Sequence, residues 1–187
     1  MKEFIFAGFG GQGVLTAGMI LAHAGAVKDL DVTWIPAYGS EMRGGTANCT
    51  VKIGQEEISS PFPKTPDVLV AMNEPSMVKF MGMVKKGGSV IVNSSIVQGL
   101  PELPGVAVYP VPMNEISAQH DNPRSSNICG LGAAVAAAGE PLTLEDVESG
   151  LLSYLSKVGN NDSNIAVLHA GYQAVKQMTL IGSVAKN

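Results

Sequence analysis

The chain has 187 residues, 45% of them apolar and only 15% charged, with a formal net charge of −4 and a mean hydropathy of +0.20. No basic run occurs, which argues against nucleic-acid binding, and no stretch of about 18 unbroken apolar residues exists, which argues against a membrane-spanning helix. Such a length suits one domain, residues 1–187, with a substantial core, and so low a charge suits a surface that is buried on partner chains.

Cys49 and Cys129 are the two cysteines. By themselves they cannot form a zinc site or hold an iron–sulfur cluster, and they read as small buried thiols. At the N-terminus the charges are mixed and glycines interrupt the apolar run, which is unlike a signal peptide. The expected location is the cytoplasm.

Lys2 to Ala7 reads as a short, mostly apolar strand. Gly8-Phe9-Gly10-Gly11-Gln12-Gly13 follows, and Val14 to Ala22 is a helix. Strand, glycine-rich turn and helix form a unit whose bare amides, at the positive end of the helix, suit an anion or another chain's backbone, and which serves equally well as a tight turn for close helix–sheet packing. Gly8, Gly10 and Gly13 fit G-x-G-x-x-G. A dinucleotide site also needs an acidic residue about 20 positions on, at the end of the second strand. Asp31 comes before that strand and Glu41 beyond it, so NAD or FAD is a weak expectation. Gly18, Ala22 and Gly25 put small residues along one side of the helix, which suits close packing.

Asp31 to Pro36 is a second strand, with Trp34 in the core or an interface. Tyr38-Gly39-Ser40-Glu41-Met42-Arg43-Gly44-Gly45 follows. There, bare amides beside a guanidinium suit a phosphate or carboxylate, and a polar loop with an internal Glu41–Arg43 contact fits the residues equally well. Thr46 to Ile53 alternates: Ala47, Cys49, Val51 and Ile53 face one side, and Asn48, Thr50 and Lys52 the other. Glu57 to Ser59 is expected as a short return strand, followed by a loop stiffened by Pro61, Pro63 and Pro66.

Asp67 to Met72 reads as a central parallel strand buried on both faces. Asn73 caps the next helix, with Pro75 in its first turn and a core stripe of Met77, Val78, Met81 and Val84. Gly87-Gly88 stops it. Ser89 to Val92 is a strand whose carboxyl end carries Asn93, Ser94 and Ser95. Ligands of open α/β sheets bind outside such ends, which makes Asn93 and Ser94 candidates for a cleft wall.

Val106 to Val111 is a strand and Pro112 to His120 a short helix. The His120-Asp121 pair has no nucleophile beside it in the sequence. Arg124 to Gly132 runs into a small-residue helix through Ala138, with Asn127 in its first turn, free to cap or to face a cleft. Thr143 to Asp146 resembles a capping box and starts a helix expected to reach Lys157. A last helix runs from about Asn164 to Met178, with Ile165, Leu168, Tyr172 and Val175 inward. The pattern predicts an α/β fold: a three-layer α/β/α sandwich around a mainly parallel sheet, with a helical C-terminal third.

Gly8 to Val14, followed by Tyr38 to Gly45, resembles the gamma subunit of 2-oxoacid:ferredoxin oxidoreductases. The spacing of the two motifs, the proline-rich loop into Pro66 to Ala71, Asn127 and the Leu131-Gly132-Ala133 run are similar too. The resemblance spans nearly the whole chain. It implies a gamma-type catalytic domain in a multi-subunit enzyme that oxidatively decarboxylates a 2-oxoacid to an acyl-CoA. Thiamine diphosphate would lie between the alpha and beta chains, and iron–sulfur clusters, held by beta or a small delta chain, would pass electrons to ferredoxin. This chain alone would bind no cofactor and supply no catalytic residue. It would help form the coenzyme A site through Gly10, Gly11, Gln12, Gly13, Glu41, Arg43, Gly44, Gly45 and Asn127, with Arg43 on a phosphate. A separate short gamma chain looks most like the 2-oxoglutarate type; pyruvate, branched-chain and aryl oxoacids remain open. The rival expectations are a purely structural scaffold of the same complex and a free-standing dinucleotide-dependent oxidoreductase.

Overall fold

The computed structural model describes residues 1–38, 45–62, 64–155 and 161–184, the last four of these for their backbone only. Among them run β1 (Lys2–Phe9), α1 (Val14–Val27), β2 (Asp31–Tyr38), β3 (Thr46–Gly54), β4 (Val68–Ala71), α2 (Glu74–Phe80), a 3₁₀ turn (Met81–Met83), β5 (Ser89–Asn93), β6 (Ala107–Val111), α3 (Met113–Gln119), α4 (Ser126–Ala138), α5 (Leu144–Tyr154) and α6 (Asn161–Val184). The six strands form one sheet in the order β2-β3-β1-β4-β5-β6. β1, β4, β5 and β6 are parallel neighbours, while β3 is antiparallel to both β1 and β2. Only β3 therefore runs against the rest, and the sheet is mixed but mainly parallel.

Alternation along the strands divides the core in two. Phe4, Phe6, Val68, Val70, Met72 and Ile91 face one side, where α1, α4, α5 and α6 supply the covering layer. Ile5, Ala7, Leu69, Ala71, Val90 and Val92 face the other, against Met77, Val84 and Val97. The result is the expected α/β/α sandwich with unequal layers, thick on the side of the C-terminal helices. β4 is apolar throughout, and β5 is apolar at Val90, Ile91 and Val92, because both of their faces are covered.

Small residues set how close the thick layer packs. A methyl at Gly132 would fall on the Leu168 carbonyl, and one at Gly171 on the Cys129 carbonyl, so α4 and α6 meet backbone to backbone. Gly18 lies against Cys49 and Trp34, and Gly25 against Val32 and Ile53, which is the close helix–sheet contact that the sequence implied. Both thiols are buried, and burial pushes each up to about 12. The capping box of α5 is present: Asp146 Oδ2 accepts from the Thr143 N–H at 2.8 Å and the Asp146 N–H donates to Thr143 Oγ1 at 3.2 Å. Lys28 of α1 donates to the same carboxylate at 2.5 Å.

Several expectations are corrected. No return strand forms at Glu57 to Ser59: the Ile58 N–H instead donates to Asp31 Oδ2 at 2.6 Å, which closes a bend rather than a ladder. Val78 is 59% exposed, not in the core. It stands one residue, and so about 100° of helix, from buried Met77, and the tightening after Phe80 brings Val84 inward without it. That helix ends before Gly87-Gly88, which instead lie in the turn into β5. Lys52 lies on the outer side of β3 as expected but is 5% exposed, because it sits opposite Glu3 and pairs with it at 3.0 Å. α6 begins at Asn161 and extends past Met178; Asp162 in its first turn favours the earlier start. The expected end of α5 at Lys157 lies outside the described residues.

Two measurements check this packing. Gly132→Ala should lower the unfolding free energy by about 3 kcal/mol in urea titration, since the clash is with backbone that cannot rotate away. Burial pushes the Asp146 carboxyl up, but the bonds from Lys28 and Thr143 outweigh it and hold the group below its ordinary 3.8. Its folded value is depressed, so its contribution is full above 3.8 and is lost as the pH falls through the folded value. The stability gap between the wild type and Asp146→Asn should therefore narrow below that pH.

Candidate functional site

The carboxyl ends of β1, β4, β5 and β6 share one end of the sheet, and there the segments after β1 and β5, with α3 and the turn into α4, line a cleft of about 570 Å³. Gly11, Gln12, Ile96, Asn114, Pro123, Arg124 and Ser126 line it. This is the end where open α/β sheets bind ligands.

The turn from β1 to α1 is fixed from three sides. The Gly10 N–H donates to the Gly45 carbonyl at 3.0 Å, which joins the first glycine motif to the last residue of the second. Gln12 folds inward: its Oε1 accepts from the Phe9 N–H at 2.7 Å and from Asn73 Nδ2 at 2.9 Å. Asn73 Oδ1 in turn caps α2 by accepting from the Ser76 N–H at 2.9 Å. Gly13 is left-handed (φ 71°, ψ 16°), and Asn127 Nδ2 donates to its carbonyl at 3.0 Å. A methyl at Gly13 would come within 2.7 Å of Asn127 Cγ, so both the backbone conformation and the neighbour require glycine there.

Gly11 differs from its neighbours. It has φ 94°, nothing lies within 4 Å of where its Cβ would be, and its N–H has no partner among the described residues. Of the residues singled out in the sequence, Gly10, Gly11, Gln12, Gly13, Gly45 and Asn127 are thus brought together. Gln12 and Asn127 spend their polar atoms on holding the turn. Glu41, Arg43 and Gly44 lie outside the described residues.

Asn93 does not line the cleft. It is fully buried, accepts from the Ser95 N–H at 3.3 Å and donates from Nδ2 to Asn114 Oδ1 at 3.1 Å, so that Asn114 forms the wall instead. Ser95 donates to Glu115 and accepts from the Asn114 N–H at 2.9 Å. That hydrogen bond from Ser95 holds the Glu115 carboxyl below its usual range. His120 and Asp121 form the turn after α3, with Asp121 at φ 54° and its N–H on the Ala118 carbonyl, away from the cleft lining.

Sequence reasoning missed Asn114, Arg124 and Ile96 as wall residues. Arg124 stood at the head of a noted stretch, but nothing local showed that its turn returns to the first glycine loop. Among the described residues, no three His, Cys, Asp or Glu side chains come together in a way that could hold a metal ion. No helix among them is long and apolar enough to cross a membrane. Dinucleotide binding is disfavoured by topology. β3 is inserted between β1 and β2, which moves the end of β2 a further strand spacing, about 4.8 Å, from the glycine turn.

Residues 3–174 match the family described as pyruvate ferredoxin/flavodoxin oxidoreductase. The chain belongs to this family. Relatives include the ketoisovalerate oxidoreductase subunit VorA of Methanothermobacter marburgensis, 38% identical over 166 residues, which cover 88% of this chain and 34% of that one. This chain therefore spans about a third of that relative's length. The 2-oxoglutarate synthase subunit KorC of Methanocaldococcus jannaschii is 32% identical over 181 residues, 95% of either chain. Among solved structures, the gamma subunit of a keto/oxoacid ferredoxin oxidoreductase from Geobacter sulfurreducens superposes with a TM-score of 0.81 at 26% identity, covering 95% of this chain and 99% of that one.

The lock between Gly13 and Asn127 is directly testable. Gly13→Ala should cost about 2 kcal/mol, from the left-handed backbone and the clash together. Asn127→Ala should cost about 1 kcal/mol. The double variant should lose less than the sum by at least about 0.5 kcal/mol in a denaturation cycle, because the steric part of the first change disappears with the Asn127 side chain.

Proposed function

We propose that this chain is the gamma subunit of a multi-subunit 2-oxoacid:ferredoxin oxidoreductase. In this reading it packs on the thiamine-diphosphate-binding subunits in the cytoplasm and supplies part of the coenzyme A site. The observation that carries it is the match to the 2-oxoglutarate synthase subunit, which pairs 95% of each chain. A relative of that name, matched over that length, favours 2-oxoglutarate as the oxoacid.

The chemistry is then divided among the subunits. Bound thiamine diphosphate would supply carbanion stabilisation for decarboxylation, and iron–sulfur clusters would carry the electrons to ferredoxin. An iron–sulfur cluster needs several converging thiolates, and the two thiols of this chain lie buried. The residues here do fit an anionic acyl acceptor. Gly11 offers an open backbone whose N–H has no partner among the described residues, and in the sequence Arg43 stands two positions before Gly45, whose carbonyl is tied to the glycine turn. The task of this chain is to bind and orient coenzyme A so that its thiol reaches a centre held by other subunits.

A second reading, a scaffold without a ligand role, draws on the inward hydrogen bonds of Gln12 and Asn127. The two readings separate on Arg43. In the complex assembled with its alpha and beta subunits, Arg43→Ala should raise the KM for coenzyme A about tenfold and leave that for the oxoacid unchanged. A scaffold would instead show impaired assembly and an unchanged coenzyme A KM. The isolated chain should turn over no oxoacid, and activity should appear only when the other subunits are added.

A further inference from the structure

The cleft beside the glycine turn has a lining of one chemical character. Arg124 is exposed and makes no ion pair among the described residues. Asn114 is also exposed, and its orientation is fixed by two bonds behind it. Fully buried Asn93 has its oxygen on the Ser95 N–H and its Nδ2 on Asn114 Oδ1. With Oδ1 so engaged, Asn114 presents its Nδ2 donors to the cleft. The Gly11 N–H, which has no partner among the described residues, lines the same cleft, and the Ser126 hydroxyl completes the polar lining. Among the described residues no carboxylate lines the space, and the nearby Glu115 is occupied by Ser95. Donors around a guanidinium that has no counter-ion among the described residues define a place for an anion.

We infer that this cleft is a phosphate subsite, in which Arg124 and Asn114 grip a phosphoryl group of coenzyme A beside Gly11. The inference rests on the coenzyme A reading above and goes beyond it, because Asn114 lies in the first turn of α3 and Arg124 in the turn after that helix, far in sequence from both glycine motifs. Arg124 supplies the charge. Asn114 supplies geometry, since its donors are aimed by a buried partner. Ile96, 45% exposed on the same wall, gives the ligand an apolar surface beside its phosphate.

The test is equilibrium binding of coenzyme A, without oxoacid, to the assembled complex. Arg124→Ala should weaken binding at least tenfold and flatten its salt dependence. Asn114→Asp is the sharper variant: it keeps an acceptor for Asn93 but replaces the donor with a negative oxygen, so it should weaken binding more than Asn114→Ala does. Repeating the titrations with 3′-dephospho-coenzyme A identifies the phosphate. If the Arg124→Ala effect disappears, the 3′-phosphate occupies the cleft; if it persists, the diphosphate does. Coenzyme A binding within twofold of wild type in both Arg124→Ala and Asn114→Asp would overturn the inference. If Arg43→Ala still weakened binding in that case, the coenzyme A reading would survive with its phosphate elsewhere. If all three variants bound normally, both would fall.

Discussion

The carbonyl of Gly13 accepts a hydrogen bond from an asparagine 114 positions away, and much of the architecture follows from making that contact possible. Gly13 must be left-handed and without a side chain for α4 to come so close to the start of α1. α4 must itself be narrow, because it is pressed between the sheet and α6. Gly132 and Gly171 allow that, by letting α4 and α6 touch through their main chains. The C-terminal helices thus form a rigid wall behind the glycine turn, and Gln12 and Asn73 hold the turn from the side of β4. With its back and flank fixed, the turn keeps one open position, Gly11. A loop tied at so many points loses little further entropy when it meets a ligand, which is how a binding surface is kept ready for use.

The sequence made the α/β sandwich legible wherever periodicity and burial agree. The alternation of Thr46 to Ile53, the apolar run of Asp67 to Met72 and the Thr143–Asp146 box all mean in isolation what they mean in the fold. It was less legible where a long-range partner changes the sense of a residue. Lys52 faces away from the apolar side of β3 and is covered all the same, because Glu3 lies opposite it, and Asn93, at the carboxyl end of β5, leaves the cleft wall to Asn114. Val78 was misassigned because a seven-residue helix shows too little periodicity to fix its buried face. The two glycine motifs were visible, and so was the role of Asn127 as a first-turn residue. The join of Gly10 to Gly45 and the return of the Arg124 turn to Gly11 were not, since both depend on where separate segments end in space.

The same geometry gives a physical sense to the composition. Phe9, Tyr38 and Ile96 are exposed, the first two at strand ends and the third beside the cleft. Apolar groups around a donor-lined cleft suit a surface whose rim is covered by neighbouring chains while its floor stays open to an anion. This chain also corresponds to about a third of the ketoisovalerate relative and to nearly all of the 2-oxoglutarate relative. The same unit therefore occurs both within a longer chain and as a short one. The division of labour proposed here, with redox chemistry on other chains and acceptor binding on this one, is compatible with either arrangement.

The central claim is that the glycine turn and the turn ahead of α4 form one face of a coenzyme A site completed by neighbouring subunits. Amide hydrogen exchange on the assembled complex, with and without coenzyme A, addresses both turns at once. The account predicts slowed exchange in peptides spanning residues 8–16 and 120–128 when coenzyme A is added, with the far end of the sheet around residues 54–58 unchanged. If neither turn is protected while coenzyme A is demonstrably bound to the complex, the account is contradicted.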